Sequence, residues 1–239
     1  MDKKTNHEGS SIPFRNRISR ILLPKFFRGW IFKFMIDSIR HDRIRPEPGV
    51  EIYELSKEHI ENLVILPTRR DLLEKMQKGS ICAELGVNEA EFSKEIIEIV
   101  SPDKLHLIDL WGSERYDEKV MEDALERVKK EIESGQAEVH RGYSYDVLEE
   151  FPEASLDWVY IDTDHTYSTT IKEIEVASRK VKPNGIIAGH DYIEGTWNNW
   201  IRYGVMEAVN EFCVKNDWEM IYRTTEITTP PSFAIRKKN

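Results

Sequence analysis

Cysteine is nearly missing from this chain of 239 residues, which has only Cys82 and Cys213, both inside apolar patterns. Two such thiols exclude a disulfide framework and point to a reduced, cytoplasmic protein. Long apolar runs are missing too. No stretch approaches the ~18 residues of a membrane span, and the first residues lack the compact apolar core and cleavage site of a secretion signal. Most of the chain is also short of positive charge. Residues 1–45 hold 11 Lys and Arg against 4 Asp and Glu, or +7, while the remainder holds 23 against 39, or -16. A surface that tracks nucleic acid needs positive charge to displace counterions, so DNA and RNA are not expected partners. No repeats or low-complexity tracts stand out.

What is present is organised around residues 81–109. Ile81 to Leu85 reads as a buried strand landing on Gly86, where a missing side chain allows a sharp turn and close approach to a ligand. Phe92, Ile96, Ile97, Ile99 and Val100 then fall on one side of a helix that Pro102 stops. Leu105 to Ile108 is a second strand, with Asp109 at its carboxyl end. An acid about twenty residues beyond a glycine turn is placed to meet the ribose of a nucleotide-like cofactor. Dinucleotide sites want G-x-G-x-x-G around a pyrophosphate. Here the order is Glu84, Gly86, Asn88, Ala90, and a carboxylate at Glu84 suits an ammonium and a sulfonium better than a phosphate.

The motifs "AELGVNEAEFS", "LHLIDLWGS", "YIDTDHTYSTTIKEI" and "KPNGIIAGHDY…GVMEAVNEFC" occur in that order from about residue 66 to the end. As a set they resemble class I S-adenosylmethionine-dependent methyltransferases, nearest the branch of metal-assisted sugar and macrolide O-methyltransferases. Asn88 and Ala90 depart from it, since the family more often has glycine there. The resemblance implies an α/β, Rossmann-like sheet of five parallel strands plus a C-terminal antiparallel hairpin. It also implies S-adenosylmethionine as cofactor and a hydroxyl of a small-molecule or glycan acceptor. A noncatalytic scaffold of the same fold and an NAD-dependent oxidoreductase are the alternatives. The closing hairpin separates a methyltransferase from a dinucleotide-binding sheet.

Taken in order, residues 1–50 form a basic helical extension and 51–239 the catalytic domain. A helix opened by Pro24 and running to about residue 40 is apolar over most of its girth. That suits a cap on the domain, a homodimer contact, or an anionic membrane surface at the inner face. Residues 56–78 look helical, interrupted at Pro67. Strands follow at "QAEVHRG", "LDWVYID" and "GIIAGH", with helices at about 114–133, 168–181 and 202–215. Two strand-like runs, "WEMIYRTT" and "SFAIRK", close the chain.

The ends of these strands collect Gly86, Asp109, Tyr143, Asp162, Asp164, His165, His190 and Asp191. The three aspartates and two histidines at two neighbouring ends, 162–165 and 190–191, need a cation or a substrate proton to balance them. Asp162 and Asp191 suit a hard divalent cation such as Mg²⁺, and His190 beside them suits a softer metal. His165 is the candidate general base, and the resemblance gives the D-x-x-H pattern of Asp162 and His165 a metal ligand and the base. Glu84, Gly86 and Asn88 are expected at the amino-acid end of the cofactor and Asp109 at its ribose. Trp111 and Ser144 are expected near the adenine. Tyr192, Trp197, Trp200 and Tyr203 suggest a lid. His7, His41, His59, His106 and His140 form no ligand-spaced set and read as structural or solvated.

Overall fold

The structure is a computed structural model that describes residues 25–43, 46–196 and 201–238. The chain divides into two units, residues 1–45 and 46–239. In the first, α1 (Lys25–Arg43) covers the expected amphipathic segment. Trp30, Phe32, Phe34 and Met35 are exposed on it. Trp30 and Phe34 stack with centroids 6.0 Å apart, as i,i+4 neighbours can. Pro24 lies outside the described residues. No described helix is long and apolar enough to cross a membrane.

The second unit opens differently from its sequence pattern. Residues 56–78 form a 3-10 turn at Lys57–His59, strand β1 (Val64–Leu66) and a short helix α2 (Arg69–Leu73), not one helix. Pro67 explains the break, because the residue before a proline is pushed to extended backbone. The helix restarts behind Thr68, whose side chain accepts from the Asp71 amide as an N-cap.

The chain then runs through β2 (Ile81–Leu85), α3 (Glu91–Val100) and β3 (Lys104–Asp109). Next come α4 (Glu118–Arg127), α5 (Lys129–Glu133), β4 (Ala137–Arg141), α6 (Ser144–Glu149), β5 (Leu156–Ile161), α7 (Tyr167–Lys180) and β6 (Val181–Gly189). A small hairpin of β7 (Gly195–Thr196) and β8 (Ile201–Arg202) precedes α8 (Val205–Asn216), β9 (Trp218–Thr224) and β10 (Phe233–Lys237). The charged helix expected at 114–133 is two helices broken at Val128. The short α6 was not foreseen.

The main sheet has the order β1-β9-β10-β6-β5-β2-β3-β4. Strands β2 to β6 are mutually parallel. β10 lies antiparallel to both β6 and β9, and β1 adds a parallel edge strand beyond β9. This is the class I methyltransferase sheet, with the reversed strand where a dinucleotide-binding sheet runs parallel. Successive residues of the central strands feed opposite faces. Cys82, Trp158 and Tyr160 enter one core cluster, and Ala83, Leu85, Val159 and Ile161 the other. Burial on both faces accounts for the near-continuous apolar runs of these strands. Both cysteines are free and buried. The carboxyl ends of β2, β3, β5 and β6 therefore lie along one edge, where polar residues can gather.

Candidate active site

Gly86 leaves β2 at φ 87°. A Cβ there would sit 1.9 Å from the Asp162 carbonyl oxygen. The glycine makes the expected sharp turn and is also required by the exit of β5. Asn88 and Ala90 hold φ of 52° and 59°. The loop keeps a left-handed backbone where the family favours glycine, at about 1–2 kcal/mol for an ordinary residue and less for Asn.

Asp109 explains how that loop is held. Its Oδ2 accepts from the amides of Val87 at 2.8 Å and Asn88 at 2.9 Å, and its Oδ1 from Trp111 at 2.9 Å. A carboxylate has about four acceptor sites, so roughly one remains for a ribose hydroxyl. Trp111 is buried, and its Nε1 donates to the Asn88 carbonyl at 3.0 Å. It is a fixed wall.

These residues border a cavity of about 340 Å³, whose lining includes Gly86, Asp109, Trp111, Tyr143, Asp162 and His165. That volume falls in the small-molecule range. Tyr143 and Tyr145 stack on its border with centroids 5.7 Å apart. The "GYSY" sequence carried that signal, and only Tyr143 was noted.

Two expected cofactor residues are placed otherwise. Glu84 is buried on β2 and is not among the cavity's lining residues. Ser93 Oγ donates to it at 2.5 Å. Burial raises its pKa to about 8, with Asp162 and Asp109 adding to the rise and Ser93 and Arg69 opposing it. The carboxyl is therefore mostly protonated at neutral pH, which corrects its reading as an anionic partner for the cofactor. Ser144 does line the cavity, but its hydroxyl donates to Glu173. Thr163 Oγ1 donates to the same carboxyl at 2.9 Å. Glu173 is fully buried on α7, and burial lifts its pKa to about 7 against the pull of those hydroxyls. Sequence reasoning missed it, because one acid in a charged helix gives no signal.

The cluster at β5 and β6 sorts itself by hydrogen bonding. Thr166 caps α7, its hydroxyl accepting from the Thr169 amide at 3.2 Å, and Asp164 braces that cap, accepting from the Thr166 amide at 3.0 Å and from Thr169 Oγ1 at 2.8 Å. His165 and Asp191 come together, with Nδ1 2.9 Å from Asp191 Oδ2. His190 Nδ1 lies 3.4 Å from the same oxygen and 3.8 Å from Asp162 Oδ2, while its Nε2 is buried with no hydrogen-bond partner. Burial alone would raise the Asp191 pKa, but the two imidazoles pull it far below the usual carboxylate range. Burial lowers His165, and the bond to Asp191 with the surrounding carboxylates more than reverses that, so the net shift is upward. His190 behaves in the same way, and Asp162 is raised by burial. The ligand atoms that converge within 4.8 Å belong to Asp162, His165 and Asp191. His190, expected among the metal ligands, falls outside that group.

The lid residues separate. Tyr203 stands beside the His165 ring, centroids 4.8 Å apart. Tyr192 is a core residue, buried, bonded through its hydroxyl to Asn210 at 2.6 Å and packed on Phe233. Trp197 and Trp200 lie outside the described residues.

Known proteins bear on this geometry. Residues 81–192, the stretch from β2 past Asp191, match a family described as a methyltransferase domain. This segment is similar to a methyltransferase domain, and the sheet that carries it has the class I strand order. Solved structures with the same fold include a SAM-dependent methyltransferase from Aquifex aeolicus, at 14% identity and TM-score 0.53, covering 75% of this chain and 93% of that one. The O-methyltransferase TomG from Streptomyces achromogenes, involved in tomaymycin synthesis and solved with SAM, aligns at 15% identity and TM-score 0.54 over 78% and 92%. The B. subtilis tRNA methyltransferase TrmK aligns at 12% and 0.53 over 73% and 67%. A search of curated proteins gave no match.

Proposed function

We propose that this methyltransferase moves the methyl group of S-adenosylmethionine to an oxygen of a small or glycan-like hydroxylated acceptor. The observation that carries the reading is the His165–Asp191 pair, 2.9 Å apart, with His165 on the border of the cavity that Gly86 and Asp109 also line. In-line attack forms the carbon–oxygen bond as the carbon–sulfur bond breaks, and the sulfonium leaves as a neutral thioether. The hydroxyl proton must go elsewhere. With Nδ1 bonded to Asp191, Nε2 of His165 is the nitrogen free to take it, and Asp191 stabilises the resulting imidazolium. Asp191 and the neighbouring carboxylates raise the His165 pKa above its ordinary value, which makes the neutral ring a stronger base.

The two carboxylates beside this imidazole also fit a divalent ion. Asp162 and Asp191 would hold it, leaving His165 beside it as the base, and when bound it would lower the pKa of the acceptor hydroxyl. The neighbouring folds act on both small molecules and tRNA. The acidic balance of residues 46–239 and the flat Tyr143 and Tyr145 rings favour a small ring-bearing acceptor over a polyanion.

Replacing His165 by Ala tests this. S-adenosylhomocysteine should bind with unchanged affinity by calorimetry, while methyl transfer from labelled donor to a panel of sugars, catechols and macrolides falls by about 10²–10⁴-fold. Unchanged turnover removes the base assignment.

A further inference from the structure

A second cavity, of about 360 Å³, shares no lining residue with the first and is bordered by His106, His140 and Phe151 among others. The strand register brings the donors together. His106 of β3 lies opposite Glu138 of β4, and Ile108 lies opposite His140. Because side chains alternate along strands, residues 106, 138 and 140 share one face. The two histidines are 34 positions apart, so no spacing motif revealed them. The sequence reads them only as structural or solvated.

We propose that His106, His140 and Glu138 form a binding site for a divalent transition ion of the zinc class. Nδ1 of His106 and Nε2 of His140 are 3.0 Å apart. Two zinc–nitrogen bonds of ~2.0–2.1 Å at a tetrahedral angle hold their nitrogens about 3.3 Å apart, so the rings need part by only a few tenths of an ångström. Glu138 Oε1 is 3.9 Å from His140 Nε2, and one ligand atom from each of the three residues falls within a 4.8 Å group. The carboxylate is half exposed and free to close that distance, while its other oxygen is held by Lys104 Nζ at 2.8 Å. An outer partner of that kind orients a ligand.

The rings are also fixed from behind. Phe151 packs edge-on to His106 at 4.8 Å and against His140 at 5.5 Å. The adjoining cavity leaves room for a water as fourth ligand. Two imidazoles suit zinc, copper or nickel, whereas the carboxylate-rich cluster at the first cavity suits harder ions.

The test uses the full chain without an affinity tag, stripped by chelator and titrated with Zn²⁺ in a calorimeter. The wild type and a D162N/D191N variant should both bind an ion that an H106Q/H140Q variant lacks or binds at least tenfold more weakly. Zn²⁺ should raise the melting temperature of the first two by more than it raises that of the third. Equal stoichiometry and affinity in wild type and H106Q/H140Q, or loss only in D162N/D191N, overturns the site. Should H106Q/H140Q fail to fold, Co²⁺ in place of Zn²⁺ decides. The wild type should show the visible bands of a nitrogen-rich tetrahedral site, weakened in E138Q. Their absence, or their persistence unchanged in E138Q, overturns it.

Discussion

Asp191→Asn isolates the charge behind the base. Asp191 holds φ 58°, a left-handed backbone that Asn tolerates as readily as Asp, so the variant changes charge while sparing the fold. In the wild type the 2.9 Å bond to His165 is charge-assisted, and such bonds are worth about 1.5–3 kcal/mol. Without it, burial is opposed only by Asp162 and Asp164, so the His165 pKa falls. The sign follows directly. A general base works when neutral, so wild-type kcat/KM declines as pH drops through the raised pKa. In the variant that decline moves to lower pH. The same free energy withdrawn from the imidazolium-forming transition state costs about ten- to 150-fold in turnover above the inflection. The His165 ring-proton titration by NMR reads the shift without any acceptor, and the turnover profile reads the second effect. A His165 midpoint that stays where it was in Asp191→Asn would refute the pairing.

Glu84 tests the buried-acid reading. Its pKa is about 8 in the fold and ordinary when unfolded, so the native state binds the extra proton and stability falls as pH rises between those values. Glu84→Gln, which mimics the protonated form, should match wild-type melting near pH 5 and exceed it above pH 8 by a few kcal/mol; parallel melting curves across that range would show that Glu84 ionises normally. For α1, sedimentation with vesicles is the check. The exposed Trp30 and Phe34 and the charge of +7 over residues 1–45 should bring the full chain down with anionic, not neutral, vesicles. W30S/F34S should release it, and binding that survives that change, or a concentration-dependent dimer in its place, would move the helix to a protein contact.

The β2-to-β3 core, the order of the later strands and the reversed closing strand were legible because each is an apolar run ended by glycine, proline or an acid. Asp162, His165 and Asp191 were legible because ligands of open α/β sheets meet strand ends. What escaped was set by tertiary context. β1 is three residues long and has strand character only because β9 is there to pair with it. Glu84 falls in the motif position of a cofactor carboxylate, yet enclosure and Ser93 decide its charge. Glu173 sits in a charged helix and acquires meaning only where α7 packs beneath Ser144 and Thr163. His106 and His140 meet through register, which no local pattern states.

Backbone strain bears on whether this fold has kept a working site. Eight non-glycine residues have positive φ among the described residues. Ala90, Ser101 and Asp217 sit at helix ends and Ala154 in the turn before β5, where such a conformation has a local reason. Asn88, Trp111, His165 and Asp191 have none, and all four fall at the carboxyl ends of strands in or beside the first cavity. At about 1 kcal/mol for Trp111 and less for Asn88, His165 and Asp191, whose types tolerate this backbone, they still draw on the 5–15 kcal/mol by which a domain is stable. Asp109 fastens two of them through their amides, and the other two fasten each other. A scaffold that had abandoned chemistry would gain by relaxing these positions to ordinary turns. Their retention, with Asp109 and Asp191 both committed to holding them, favours a pre-organised catalytic edge over a noncatalytic descendant of the fold.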